Sequence, residues 1–152
     1  MAAAPPNELV RILLVEDNPG DVRLTREVLK DSRLKHELYV MPDGEAAVAF
    51  LKHQPPYQTV IRPDIILLDL NLPKKDGRQV LEEIKADPDL RSIPVVVLTT
   101  SHAEQDILTA YSLHANCYIQ KPVDLDQFWI IIRAIEEFWL TTVSLPKAPD
   151  LA

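Results

Sequence analysis

Glu16, Asp17, Asp69, Thr99 and Lys121 lie far apart along the chain, yet each stands at or just past the end of an apolar-rich segment. If those segments are parallel strands, their carboxyl ends point one way and the five polar groups converge at one rim. Three clustered carboxylates repel and raise one another's pKa values unless a cation joins them. Oxygen-only ligands with room left for water suit Mg²⁺, or Mn²⁺, rather than Zn²⁺. Three carboxylates, one such ion and one lysine sum to zero charge, so the rim can take a phosphoryl group without a large local penalty. Asp69 is then a nucleophile toward phosphorus and forms an acyl phosphate. The ion and Lys121 neutralise charge on the transferred group, and Thr99 donates a hydroxyl hydrogen bond to a phosphoryl oxygen. No general base is needed, because the carboxylate is already ionised. Each residue alone has a plainer explanation, a solvated turn for the acidic pair or a strand cap for Asp69. Their joint occurrence carries the reading.

The elements that must position these groups are legible from patterning. Ile65–Asp69, bounded by Pro63 and Pro73, has the continuous apolar character of a strand buried on both faces. Arg11–Val15, Ile93–Leu98 and Cys117–Gln120 read similarly, and Glu37–Val40 reads as a short second strand. A first helix opens with Asn18 as N-cap and Pro19 at its first position, and Val22, Thr25, Val28 and Leu29 recur at helical spacing. A second follows the turn Pro42-Asp43-Gly44 and carries Ala46, Ala47, Phe50 and Leu51. A third runs from about Gly77 to Asp87-Pro88 with Val80, Leu81 and Ile84 inward. Ser101 and Glu104 have capping-box spacing for a fourth bearing Ala103, Ile107 and Ala110. The last extends from about Leu125 to Trp139. The loop from His53 to Arg62 is long for such a connection. Five β-then-α units with no repeat and no linker predict an α/β fold, a doubly wound five-stranded parallel sheet with five helices and right-handed crossovers.

Composition narrows the classes. At 152 residues and 47% hydrophobic content the chain is one domain with a well-buried core. A net charge of −7 argues against non-specific nucleic-acid binding, which wants a basic stripe. The single cysteine, Cys117, excludes an internal disulfide, fits a reducing compartment and sits in an apolar strand as a small hydrophobe. The opening MAAAPPNE lacks the basic and apolar regions of a signal peptide, and Arg133, Glu136 and Glu137 interrupt the apolar C-terminal helix. A cytoplasmic protein with no membrane partner is expected.

The motifs VEDN at 15–18, LLDLNLP at 67–73, VVLTT at 96–100 and KP at 121–122, with Thr99 thirty positions after Asp69 and Lys121 twenty-two after Thr99, carry a resemblance. Over about residues 9 to 140 the chain resembles the receiver domain of two-component response regulators, similar to the chemotaxis receivers. The resemblance implies sheet order 2-1-3-4-5 and makes Asp69 the phosphoacceptor from a histidine kinase. It implies that Asp17, Asp69 and the Asn71 carbonyl ligate the ion, with Glu16 acting through water. Thr99 and Lys121 would bind the phosphoryl group, Tyr118 would be the aromatic whose rotamer follows Thr99, and Lys121-Pro122 would be cis. Such a domain promotes its own phosphorylation and loses the group slowly, without being an enzyme in the usual sense. Two residues depart from the commonest pattern. Thr100, beside the switch position, replaces Ala, Gly or Ser and narrows access to the phosphoryl group. Asn116 stands where Gly is frequent. Within the family the chain looks most like small single-domain regulators paired with bacterial phytochrome kinases, on NPGDVRLTREVLK at 18–30, the Pro-Tyr loop before Arg62-Pro63-Asp64, and LDLNLPKKDG at 68–77.

The expected organisation is a flexible lead-in over 1–8, a receiver over 9–143 and a tail over 144–152, with no output domain. The signal would then leave through surface change and a partner protein. Phe128, Ile131, Ile135 and Phe138 form one helical stripe, enough to cover the sheet, while Trp129, Ile130, Ile132 and Trp139 lie off it. A helix apolar on more than one face is buried on more than one side. A homodimer through this helix is expected, with Phe128, Trp129, Ile132 and Trp139 at its face. The four histidines show no metal-ligand spacing. A haloacid-dehalogenase-type phosphatase would want an Asp two after the first, where Asn71 stands, and flavin binding would want a Ser, Thr and Gly-rich first loop. A receiver that only docks, without phosphorylation, would be expected to lack some of these residues.

Overall fold

The computed structural model describes residues 9–32, 35–99, 117–121 and 124–130. Its elements are β1 (Val10–Val15), α1 (Pro19–Ser32), β2 (His36–Met41), α2 (Gly44–Leu51), β3 (Ile65–Asp69), α3 (Gly77–Ala86), β4 (Val95–Thr99) and β5 (Cys117–Gln120), followed by a helix whose described part is 125–130. The five strands form one parallel sheet in the order β2-β1-β3-β4-β5. The predicted fourth helix and the Lys121-Pro122 bond lie outside the described residues. No helix among the described residues is long and apolar enough to cross a membrane.

Side chains alternate across a strand, so each strand feeds two cores. Leu13, Val15, Ile66, Leu68, Val95 and Val97 face α2 and α3, meeting Ala47, Phe50, Leu51, Val80, Leu81 and Ile84. Ile12, Leu14, Ile65, Leu67, Val96 and Leu98 face the other way, against Leu29 of α1 and Phe128 of the last helix. Burial on both faces explains why β1, β3 and β4 read as unbroken apolar runs.

Several strand boundaries differ from expectation, β2 and the start of β4 most. β4 begins at Val95, not Ile93. Pro94 has no N–H to donate, and the Ile93 amide is spent on a turn to the Leu90 carbonyl (2.9 Å). β2 is longer than Glu37–Val40, because all six of its residues find partners on β1 from Val10 to Val15. The long loop after α2 is no spacer. Tyr57 packs against Phe50 with tilted rings 5.5 Å apart, Phe50 against Tyr39 at 5.6 Å, and Tyr57 and Val60 close the first core. Arg62 ties its far end to the Asp89 carbonyl and the Ser92 hydroxyl.

Phe128 is 1% exposed and belongs to the second core, with Trp129 half-buried against it. Phe128 therefore cannot present a dimer face, which is a correction to the expectation above: its position on the stripe that covers the sheet commits it inward. The outward apolar side chain in this stretch is Ile130, 68% exposed. Ile132 and Trp139 lie outside the described residues.

Candidate functional site

The carboxyl edge of the sheet gathers the acidic residues because β1 and β3 are adjacent and in parallel register, Val15 opposite Leu68. One residue further on, both chains turn polar. Glu16 stays in the sheet's frame through its amide, bonded to the Met41 carbonyl (3.0 Å), and is buried. Asp17 follows it, exposed. Asn18 then caps α1, its side chain accepting from the Asp21 amide at 3.1 Å. Asp69 ends β3 with 2% exposure, and its Oδ1 accepts from the Asn71 amide at 3.2 Å.

The backbone beneath Asp69 is fixed by close approach. Gly77 opens α3 so near the end of β3 that a Cβ there would lie 2.4 Å from the Asp69 carbonyl oxygen and 2.5 Å from the Leu70 Cα. Its amide donates to the Leu70 carbonyl at 2.9 Å. Gly44, opening α2, similarly leaves room for the Lys75 carbonyl, which a Cβ would meet at 1.9 Å. Asp76 and Gln79 form a reciprocal capping box on α3. Lys74 adopts φ of 68° and pairs with Asp43 at 3.6 Å, while Lys75 pairs with Glu83. The turn from Leu70 to Asp76 is thereby held from α2 and α3 together.

Glu16, Asp17 and Asp69 each offer a carboxylate oxygen within 4.8 Å of the others. That spacing and all-oxygen donor set fit a hard divalent cation. Lys121 reaches the cluster from the end of β5. Its ammonium lies 2.9 Å from Glu16 Oε1 and 3.2 Å from Asp69 Oδ2. It also lies 2.9 Å from Asp21 Oδ2, a contact that strand-end reasoning missed. The signal was present: with Asn18 as cap, Asp21 falls in the first turn of α1, directly beside the rim.

The charges respond as clustering requires. Burial raises the Glu16 carboxyl from its ordinary 4.5 to about 7, opposed by the bond from Lys121 and reinforced by the charge of Asp69. Burial by itself would lower Lys121, but its bonds to Asp21 and Glu16 and the charges of Asp69 and Glu16 outweigh it, so its pKa rises. The ammonium is therefore charged at neutral pH. Thr99 and Tyr118 contribute their backbone to β4 and β5. Their side chains, with Thr100, lie outside what is described.

A single parallel sheet covered on both faces, with an acidic cup and a lysine at its carboxyl rim, defines a class. The chain belongs to the response regulator receiver domain family, whose model matches residues 12–133. It is similar to the response regulator Rcp1 of Synechocystis sp., 58% identical over 137 residues that make up 90% of this chain and 93% of Rcp1. Among solved structures it is similar to the phosphorylated cyanobacterial phytochrome response regulator RcpA, with TM-score 0.74 and 54% identity over 91% of this chain and 99% of that one. The Mn²⁺-bound form of Rcp1 matches with TM-score 0.71 and 57% identity over 90% of this chain and 99% of its own.

Proposed function

We propose that Asp69 receives a phosphoryl group from a phosphohistidine of a phytochrome-type histidine kinase, and that the chain passes the signal to a partner by conformational change. The observation that carries this is the placement of the buried Asp69 carboxylate inside an acidic cluster, 3.2 Å from a fixed ammonium. An Asp69 carboxylate oxygen forms the new P–O bond as the P–N bond of the donor breaks, and the departing imidazole takes a proton from water. Lys121 is already aimed at that oxygen and needs little reorganisation to meet phosphoryl charge. Thr99 contributes a hydroxyl, and Thr99, Thr100 and Tyr118 transmit the change toward the last helix. Asp17, Asp69 and the Asn71 carbonyl would hold a Mg²⁺ or Mn²⁺ ion, and Glu16 would act through water. When bound, that ion supplies positive charge to the phosphoryl oxygens. The chain promotes its own phosphorylation and loses the group slowly.

Residues 9–143 make up the receiver unit, with 1–8 and 144–152 flanking it. The kinase assignment draws on the likeness to Rcp1 and RcpA. Two copies associate through the outer side of the last helix. Intact mass after incubation with acetyl phosphate and Mg²⁺ tests the reading: the protein gains one phosphoryl group, and Asp69→Asn gains none. Continuous phosphate release without a mass gain would instead indicate a phosphatase.

A further inference from the structure

Lys121 has three donors and three carboxylate partners, and only two of those belong to the cup. Glu16 and Asp69 are strand-end residues that a cation must share. Asp21 is not. It projects from the first turn of α1 and lies as close to the ammonium, at 2.9 Å, as Glu16 does. Lys121 is 14% exposed at its side chain and Asp21 31%, so this contact lies at the outer margin of the cup while the other two lie within it. An ammonium that settles fully between Glu16 and Asp69 occupies the oxygens a divalent ion requires. An ammonium pulled outward by a third carboxylate occupies them less.

We propose that Asp21 is a positioning residue. It draws Lys121 toward helix α1 and so keeps the Glu16–Asp17–Asp69 cup open to a divalent cation. The inference rests on the reading of that cup as a metal site, and it adds to the site a residue from outside the strand ends. It acts through Lys121 rather than by touching the ion.

Titration calorimetry with Mn²⁺ alone on the full chain tests it. Asp21→Asn keeps the side chain's size and its place in the helix turn. It binds Mn²⁺ about three- to ten-fold more weakly than wild type, the scale of losing one nearby partly solvated charge contact. In a Lys121→Ala background the same substitution changes the affinity by less than about two-fold, because the cation it positions is gone. Nitrogen NMR of the lysine ammonium groups supplies a readout independent of metal. The Lys121 signal, protected from exchange in wild type, broadens in Asp21→Asn. Equal Mn²⁺ affinity of Asp21→Asn and wild type overturns the proposal, as does an equal loss in both backgrounds, which marks Asp21 as a distant charge only. A wild-type protein that binds no Mn²⁺ overturns the metal-site reading as well, which separates the two failures.

Discussion

Glu16 is buried at a cost that its raised pKa records. A carboxyl at 2% exposure, raised to about 7, is half-protonated near neutrality when no ion is bound. Its folded-state pKa lies above the unfolded 4.5, so the folded state holds the extra proton between those values. Its contribution to stability is complete below about pH 4.5 and is lost as pH rises through about 7. Urea midpoints of metal-free protein therefore fall relative to Glu16→Gln across that interval, and saturating Mg²⁺ removes the difference by binding the ionised form. Parallel curves for the two proteins would show that the carboxyl is not strained. The Lys121 pKa is raised as well, which keeps the ammonium charged throughout this range. The acidic pair, Asp69 and Lys121 were readable from the sequence because each follows a strand, and parallel strands share an end. Asp21 was missed although its place in the first turn of α1 was legible, because helix geometry rather than strand geometry brings it to the rim.

At the scale of elements, the site depends on how tightly α3 and α2 approach the turn after β3. Gly77 has no room for a Cβ, and the atoms it would strike are backbone, unable to swing aside. Gly77→Ala is expected to destabilise the protein by about 1–3 kcal/mol, as overpacking does. It also weakens Mn²⁺ binding by displacing Asp69 and Asn71, as read by urea denaturation and calorimetry on the same variant. Full retention of both properties would mean that the turn is softer than its contacts imply. β3 was located to the residue from its apolar run and flanking prolines. The start of β4 was not, since Ile93 is as apolar as its neighbours and only the turn bond from its amide shows that it lies outside the sheet. The loop after α2 was legible only as long for its connection, whereas Tyr57 makes it part of the core.

For the whole molecule, the last helix has to seal one core and leave a surface for other molecules. Phe128 does the first, at 1% exposure, and Ile130 is available for the second, at 68%. An isoleucine this exposed, two residues from a buried phenylalanine, is an apolar side chain that the proposed association of two copies would cover. Sedimentation equilibrium at micromolar concentrations is expected to show a dimer, and Ile130→Glu to shift it toward monomer. A wild-type monomer under those conditions would remove the dimer from the account. The hydrophobic stripe revealed the helix and its inward side. It could not rank the residues off the stripe, because periodicity gives direction around the axis but not which neighbour covers it.

The most direct test is to locate the phosphoryl group itself. Borohydride reduces an acyl phosphate to an alcohol, so treatment after phosphorylation with acetyl phosphate and Mg²⁺ should convert Asp69 alone to homoserine, as read by peptide mass mapping. Homoserine in place of Asp17, or no reduced residue despite a gain in mass, would contradict the account.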